Sequence, residues 1–427
     1  MKELEENLFR ELQEVYQAIL VSILEELDVW LMNNRDHKIF ENREKQNFTV
    51  ATMFGSITVR RRKYLDRETG ERVGLLDRYL EIKGSDSLSP FLTEMAVKWA
   101  VKGPSYRDAR DRFVELLGYQ AMSHEKIRQE VLKIEPKDFE EKAEEPKEAD
   151  VLFLEVDGLH AHKQNSTRST REIKIGVVHE GWAKRHPSSQ EYQLKNKSYW
   201  HTLDDGQTFW EGFSRYLYNQ YDITEDTHIV INGDAAPWIR SGVDYFENAT
   251  YTYDRYHLKK WIKQALNKRS KAERKKAYLA ADANDPVALL VAIAEAEKAE
   301  TDEDKKADIR DLRLFILENQ EAFRDYRELL QEKNIDTTGM RMMGAAESNM
   351  NLFSKRLKKM GYSWSHNGLC GMVSAMIHKM EGTLIEALRG TSTDEEMRDK
   401  PVESYPSFAK LLTKKTHKAI GAIQGHI

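Results

Sequence analysis

The chain has 427 residues, a formal net charge of −5 and one cysteine. This length suffices for two or three domains, and a single cysteine excludes a disulfide framework or a cysteine-based zinc cluster. No run approaches about 18 apolar residues, and the charged N-terminus lacks the apolar core of a signal peptide. We therefore expect no membrane span and predict a cytoplasmic protein. The acidic total argues against a protein that simply coats nucleic acid, although local basic patches matter more.

The N-terminal region changes from a helical to a strand-like pattern. Apolar residues recur at helical spacing over residues 5–32, which predicts one amphipathic helix. Residues 48–54 and 56–65 flank Gly55 and predict a β-hairpin, and a third short strand is expected within 67–76.

Residues 89–134 return to a helical pattern with one short break. Ser105 and Ser123 occupy N-cap positions, and Gly118 is a suitable helix stop, so we predict two helices joined by a turn. Such a pair is typical of helix-turn-helix DNA-binding domains, but also of simple packing units, and both interpretations stay open. The basic residues of this half that either contact DNA phosphates or form solvated faces are Arg60, Arg61, Arg62, Lys126 and Arg128.

Residues 135–150 contain eight acidic groups, three lysines and two prolines, a composition typical of a linker. After them, strand-like and helical runs alternate in the order βββαβαβ, which predicts a mixed α/β layer. The chain is then almost entirely helical to about residue 333, starts a further helix near Ala345, and ends in a basic helical stretch.

Two aspartates follow apolar, β-branched runs. VLFLEVD ends at Asp157 and THIVINGD ends at Asp234. If these strands are neighbours, both carboxylates lie at one edge of the sheet, where they repel each other unless a cation or a proton intervenes. Mg²⁺ prefers hard oxygen ligands, and two Mg²⁺ ions bound side by side can assist phosphoryl transfer. Asp234 is equally suited to cap the helix beginning near Pro237.

Glu347, in GAAESNMN, is the best candidate for a third ligand, because small neighbours allow a helix to approach a sheet edge closely. An ordinary surface helix residue is the alternative. The basic residues predicted to follow a DNA backbone in this half are Lys259, Lys260, Lys263, Lys355, Arg356, Lys358 and Lys359, and the first run extends through Lys268, Arg269, Lys271, Arg274, Lys275 and Lys276.

Several segments in order resemble the ISLre-two family of bacterial insertion-sequence transposases: VDGLHAH, EIKIGVVHEGW, INGDAAPWI, YDRYHLKK and GAAESNMNLFSKRLKKMGYSWSHNG. SYRDARDRF and TMFGSITVRRRKY resemble that family too, so the resemblance covers about residues 45–380. It implies a DDE-type DNA transposase related to Mutator-like transposases, with an RNase H-like core interrupted by an all-α insertion.

The resemblance also implies the site. Asp157, Asp234 and Glu347 would be the catalytic and metal-binding residues, holding two Mg²⁺ ions for which Mn²⁺ substitutes. Asp254 and His257, in DRYH, fall where Mutator-like relatives carry Cys-x-x-His or Asp-x-x-His; an accessory role and simple packing are both open. The implied partner is double-stranded DNA, as terminal inverted repeats and target, bound by a homodimer or larger synaptic complex at the bacterial nucleoid.

The expected fold class is therefore α+β and multidomain. The predicted segments are an N-terminal helix (1–45), a small β unit (46–84), a helix-turn-helix-like region (85–134), an acidic linker (135–150), the first part of the RNase H-like core (151–257), an all-helical insertion (258–340), the final core helix (341–380) and a basic helical tail (381–427).

Other hypotheses remain. A non-catalytic DNA-binding protein derived from such an enzyme would use the hairpin and helical pair alone, and metal-dependent cleavage separates the two. A two-carboxylate glycosidase needs no metal, but the basic runs and the strand order argue against it. His160 and His162 with Asp157 suggest zinc, but no third nitrogen ligand is suitably spaced.

Overall fold

A computed structural model describes residues 1–80, 82, 88–138, 140, 142–164, 170–266 and 271–389. The chain is a mixed α/β protein of two compact units, Met1–Ile134 with Gly382–Ile427, and Glu135–Glu381. The predicted basic tail beyond residue 389 lies outside the described residues, as do Lys268 and Arg269.

The helices and strands follow each other along the chain as the periodicity predicts, with differences at several ends. In chain order they are α1 (Lys2–Asn34), β1 (Phe40–Thr52), β2 (Gly55–Asp66), β3 (Arg72–Val73), α2 (Leu75–Tyr79), α3 (Pro90–Lys102), α4 (Tyr106–Leu117), α5 (His124–Leu132), β4 (Val151–Lys163), β5 (Thr170–His179), β6 (Trp182–Lys184), β7 (Tyr192–Leu194), β8 (Ser198–Thr202), α6 (Gly206–Gln220), β9 (His228–Gly233), α7 (Pro237–Arg240), β10 (Ala249–Tyr253), α8 (Arg255–Ala265), α9 (Lys271–Asp282), α10 (Pro286–Ala299), α11 (Glu303–Glu318), α12 (Tyr326–Glu332), α13 (Ala346–Leu357), β11 (Ser363–Trp364), α14 (His366–Glu381) and α15 (Leu384–Arg389).

In the first unit, α1 packs on the antiparallel sheet β1-β2-β3. Leu24, Leu27 and Leu31 of the helix share a core with Ile57 and Val59 of β2, because strand alternation turns those two side chains to the same face. The predicted hairpin is confirmed. The predicted boundary at residue 45 is wrong, since β1 already begins at Phe40.

Two of the three arginines predicted to contact DNA are buried in this unit. Arg61 forms an ion pair with Asp77, and Arg62 forms one with Asp28 of α1. Only 4% of Arg61 and 8% of Arg62 is exposed, whereas Arg60 points to solvent. The expectation that Arg61 and Arg62 contact DNA is therefore corrected: both neutralise buried carboxylates.

The predicted helical pair is confirmed, including its caps. Ser105 Oγ accepts a hydrogen bond from the Asp108 amide at 3.0 Å, and Ser123 Oγ accepts one from the Lys126 amide at 3.1 Å. Gly118 ends α4 with φ 76°, a left-handed conformation that favours glycine. The two helices also pack on α3, so the unit holds a three-helix group.

The two basic side chains of α5 form ion pairs within their own helix. Lys126 pairs with Glu130 at 2.8 Å, and Arg128 pairs with Glu125 at 2.7 Å. Their contact with DNA stays a prediction, and it would require exchange of these partners for phosphates.

The second unit is built on a six-stranded sheet of order β10-β9-β4-β5-β8, with β11 paired to β4. β9 and β10 run parallel to β4, whereas β5 and β8 alternate in direction from it. β6 and β7 form a separate two-stranded ribbon that the sequence did not predict. The two aspartate-bearing strands, β4 and β9, are neighbours, as predicted.

The acidic segment 135–150 belongs to this unit. The Ala143 amide donates to the Asn219 carbonyl and the Lys147 amide to the Gln220 carbonyl, both at 3.0 Å, so the segment lies along the end of α6. Its composition suggested a free linker; its backbone hydrogen bonds make it a packed part of the second unit.

Helices cover both faces of β4. Leu152 and Leu154 share a core with Phe209 of α6, on one face. Phe153, on the other face, shares a core with Tyr326 of α12. The helices α8 to α11 share a further core, which also includes Tyr253 of β10.

Among the described residues, no helix is both long enough and apolar enough to cross a membrane.

The first prediction concerns the arginines of β2. Arg62→Ala leaves the Asp28 carboxylate buried without its cationic partner, which costs about 3–5 kcal/mol of unfolding free energy. Arg60→Ala, on the exposed face, costs about 0.5 kcal/mol or less. Urea unfolding followed by circular dichroism measures both. Equal stability of the two variants would contradict the structural role of Arg62.

Candidate active site

Asp157 lies within β4, not at its end. The strand continues for six residues to Lys163. β9 pairs with β4 only as far as Glu155, and β11 pairs with it at His162 and Lys163. β5 occupies the opposite edge throughout this stretch, so β9 and β11 share one edge of β4, and Asp157 lies in the gap between them. The predicted strand end is thus the end of the pairing with β9.

Asp234 follows directly after β9. A Cβ at Gly233 would lie 2.7 Å from the Val156 carbonyl oxygen and 2.6 Å from Ile239 Cγ2, so only glycine lets β9 end this close to β4. Asp234 Oδ1 accepts a hydrogen bond from the Ala236 amide at 2.9 Å. The predicted turn-cap role is therefore present, and it leaves the second carboxylate oxygen available.

His257 lies between the two aspartates. Its Nε2 is 4.0 Å from Asp157 Oδ2, and its Nδ1 is 3.8 Å from Asp234 Oδ2. Both distances are too long for hydrogen bonds, so the imidazole lies beside both carboxylates and is bonded to neither. Asp254 positions this ring, because its Oδ1 caps α8 by accepting from the His257 amide at 3.1 Å.

The negative charge of Asp157 is unfavourable in this site. Burial, aided by the negative charges of Asp234 and Asp254, raises the pKa of Asp157 to about 6, against the opposing effects of His257 and the Gly158 amide. A buried carboxylate whose pKa is raised beside other carboxylates is typical of functional sites, because a bound cation or proton relieves the repulsion.

A buried carboxylate that the sequence analysis missed lies beside this site. Glu155 is fully buried and is bound by donors at both oxygens. Its Oε1 accepts from the amides of Gly344 and Ala345 at 3.1 and 3.0 Å. Its Oε2 accepts from the Ala346 amide at 3.1 Å and from Asn232 Nδ2 at 2.8 Å. Burial raises the pKa of Glu155, and the hydrogen bonds from these backbone amides oppose that effect.

Asn232 extends this network to α8. Its Nδ2 also donates to Asp254 Oδ2 at 3.1 Å. The buried chain Glu155–Asn232–Asp254 therefore joins β4, β9 and α8, which carry Asp157, Asp234 and His257. The signal was available in the sequence: alternation in VLFLEVD places Glu155 on the same strand face as Asp157, in an otherwise apolar run.

Glu347 lies in the first turn of α13, half-buried, and its Oε1 accepts from Asn351 Nδ2 at 3.0 Å. In the described part of the chain, no three His, Cys, Asp or Glu side chains come close enough to hold a metal ion together. The carboxylates of Asp157 and Asp234 fit a divalent ion in their chemistry, because they offer hard oxygen donors on either side of His257. Glu347 lies near the start of a helix, as predicted, but the structure does not bring it into a ligand group.

The basic residues predicted for this unit divide into three groups. Arg356 is buried over the rings of Tyr362 and Trp364, which corrects its prediction as a DNA contact. Lys259 pairs with Asp282 at 2.5 Å. The remaining predicted contacts are exposed: Lys260, Lys263, Lys355, Lys358 and Lys359.

The fold and site together define a mixed α/β protein that carries two aspartates and a histidine at the interrupted edge of its main sheet. Comparison with known families then gives the family. The chain belongs to the uncharacterised protein family UPF0236, whose family model matches residues 1–393.

The curated relatives carry the same family description. A UPF0236 protein of Caldanaerobacter subterraneus subsp. tengcongensis is 27% identical over 387 residues, which cover 90% of this chain and 77% of the relative, and its name joins eleven locus designations. A second from that organism is 28% identical over 371 residues, covering 86% and 75% of the two chains, and joins four. A Streptococcus gallolyticus relative, named as a UPF0236 protein in the vanSb 3′ region, is 25% identical over 391 residues, covering 90% and 83%.

A substitution at Gly233 tests the approach of the two strands. Gly233→Ala places a methyl group against the Val156 carbonyl, and we expect a loss of about 1–3 kcal/mol in unfolding free energy as β9 is pushed from β4. Urea unfolding measures it.

Gly368→Ala is the matched control, because the added methyl there meets only the Ser365 side chain within a helix. The Ser365 hydroxyl, which accepts a hydrogen bond from the Gly368 amide at 3.1 Å, has to shift, so this variant is expected to lose about 1 kcal/mol or less. A Gly233→Ala protein as stable as Gly368→Ala would contradict the close packing at the end of β9.

Proposed function

We propose that this protein is a DDE-type DNA transposase that cleaves and joins the ends of an insertion sequence in a metal-dependent reaction. The observation that carries the proposal is the convergence of Asp157 and Asp234, from neighbouring parallel strands, on His257. Paired carboxylates on adjacent strands are a binding arrangement for Mg²⁺ or Mn²⁺ in phosphoryl transfer.

The architecture supports an RNase H-like core for this enzyme. The second unit has the order βββαβαβ that the ISLre-two resemblance implies, if the short ribbon β6-β7 is set aside. The helices α8 to α12 lie between its last long strand and α13, where that resemblance implies an all-α insertion before the third acidic residue. We extend the family assignment to the ISLre-two transposases on this basis.

The proposed chemistry divides between the metal ions and the protein. Two Mg²⁺ ions, when bound, supply positive charge to the attacking and leaving oxygens of an in-line displacement at phosphorus. Asp157 and Asp234 would hold the ions, with Glu347 as the proposed third ligand. His257 lies between the two carboxylates without a hydrogen bond to either.

The exposed lysines provide the proposed path for the DNA. Lys260 and Lys263 lie on α8, the helix whose first turn carries the site residue His257. Lys355, Lys358 and Lys359 lie at the end of α13, the helix whose first turn carries Glu347. Cations on the two helices that carry site residues would hold a phosphate backbone beside the carboxylates. The partners are terminal repeats and target DNA, and a homodimer or larger complex at the nucleoid would pair two ends.

The distribution of the relatives supports a mobile element. One relative's name stands for eleven loci of a single genome and another's for four. A protein encoded at many loci of one genome is what a DNA element that copies or moves itself leaves behind.

A non-catalytic DNA-binding protein derived from such an enzyme is the second candidate. The observation that favours it is the position of Glu347, which does not join the two aspartates in a ligand group among the described residues. Asp234 is also engaged as a turn cap. Such a protein would bind the same DNA ends without cleaving them.

Asp157→Asn tests the catalytic proposal. We expect metal-dependent nicking of DNA that carries the ends flanking the protein's own gene to fall by roughly 10²-fold or more, since a metal-held charge is worth several kcal/mol. Affinity for the same DNA should change little. Nicking with Mg²⁺ and with Mn²⁺, and binding by gel shift, are the measurements.

Asp222→Asn, at an exposed position of the same unit, makes the same charge change away from the site and should leave nicking intact. Loss of binding together with cleavage would make Asp157 a structural residue. Specific binding by the wild-type protein without any nicking would favour the non-catalytic candidate.

Lys260→Ala with Lys263→Ala tests the DNA path. The slope of log Kobs against log salt concentration should become shallower by about 1 for each lysine that contacts a phosphate. Fluorescence anisotropy across a salt series measures the slope. Lys142→Ala with Lys147→Ala is the control, because it removes equal charge from the acidic segment along α6. An identical change of the salt slope in that control would contradict a specific contact between α8 and the DNA.

A further inference from the structure

Helix α13 lacks a capping residue of its own. The neighbouring long helices begin with a local side-chain cap, such as Asp254 for α8, Asp285 for α10 and Asp302 for α11. At the same position α13 has Ala345, whose methyl group cannot accept a hydrogen bond. The free amides of a helix start need acceptors, and inside a protein they must come from elsewhere in the fold.

The acceptor comes from the active-site strand. The Glu155 carboxylate binds three successive amides, those of Gly344, Ala345 and Ala346, at 3.0–3.1 Å. These residues are up to 191 positions away in the chain. A negative charge at this place is also favoured by the dipole of the helix. A local serine or aspartate would stabilise the helix equally well, but it would not fix where the helix lies.

Glu155 links the three elements that carry Asp157, Asp234 and Glu347. Glu155 and Asp157 are on the same face of β4, two residues apart. The helix that Glu155 caps carries Glu347 one residue after the last bound amide. Asn232 holds the same carboxylate from β9, two residues before Asp234. One buried group therefore touches all three elements that bear the proposed ligands.

We propose that Glu155 is a positioning residue that docks the start of α13 on β4 and thereby sets the place of Glu347 relative to Asp157 and Asp234. This inference rests on the proposed function, because the place of Glu347 matters to a metal only if Glu347 is a ligand. Glu155 itself has both oxygens filled by protein donors and does not bind the metal.

Mn²⁺ binding to the full chain, measured by calorimetry, tests the proposal without catalysis. Glu155→Gln exchanges an acceptor oxygen for an amide donor that faces backbone N–H groups. We expect it to weaken Mn²⁺ binding about 10-fold, as loss of a group that orients a ligand does. Glu347→Gln should also weaken binding. The double variant should bind no more weakly than Glu347→Gln alone, because Glu155 acts through Glu347.

Glu381→Gln is the matched control for a carboxylate that is shielded but lies elsewhere in the unit. Glu381 accepts from the Tyr199 amide at 2.7 Å and pairs with Lys137 at 2.6 Å. Its loss should lower the urea midpoint but leave Mn²⁺ affinity within twofold. If Glu155→Gln weakens Mn²⁺ no more than Glu381→Gln does, or adds fully to Glu347→Gln, the positioning role is overturned.

A second variant covers the case in which Glu155→Gln does not fold. Glu155→Asp keeps the negative charge but draws the carboxylate back by one methylene from the three amides that donate to it. The same cycle with Glu347→Gln should again be non-additive. An additive result overturns the proposal.

Hydrogen exchange separates failure of this inference from failure of the proposed function. If the wild-type protein binds Mn²⁺ no better than Asp157→Asn does, the proposed metal site is contradicted. The docking of α13 is then judged from residues 349–357, whose amides do not bind Glu155. Faster exchange there in Glu155→Gln or Glu155→Asp supports docking by Glu155, and unchanged exchange overturns it.

Discussion

The buried carboxylate of Glu155 is the constraint on which the second unit depends. A carboxylate removed from water is tolerated only where donors replace its hydration, and here three backbone amides and one side-chain amide do so. Those donors come from β9 and from the start of α13, so neither element can move from β4 without leaving a buried charge unpaired. The apolar contacts on both faces of the sheet supply most of the burial, but they fix the positions of β9 and α13 on β4 less specifically than these hydrogen bonds do.

The interruption in the edge of β4 explains how an aspartate can occupy the middle of a sheet. Between the end of β9 and the start of β11 the strand has no partner on that edge, and Asp157 lies there with His257 and Asp234 around it. Its side chain remains partly accessible, while the strand on either side is held in register. A rigid strand thus presents a carboxylate more precisely than a loop would.

Much of the fold follows from periodicity, and the failures have physical causes. The hairpin, the two capped helices and the adjacent strands β4 and β9 were predicted because their signals are local. Arg61 was mistaken for a surface residue although alternation places it with Ile57 and Val59, facing the core. Arg62 is buried because Asp28 of a distant helix covers it, which no local pattern reveals. Alternation in VLFLEVD marks Glu155 as a buried carboxylate, but its partners lie near the other end of the unit, so its role could not be predicted, and the place of Glu347 depends on that contact.

The long separation between β4 and α13 also has a consequence for synthesis of the protein. Glu155 leaves the ribosome 191 residues before Ala346 does. At typical elongation rates of 5–20 residues per second this interval lasts roughly 10–40 s. During that time the strand carries a carboxylate without its donors, and the sheet lacks β11 and α13. The nascent chain therefore cannot complete the site until the helices α8 to α12 have been made.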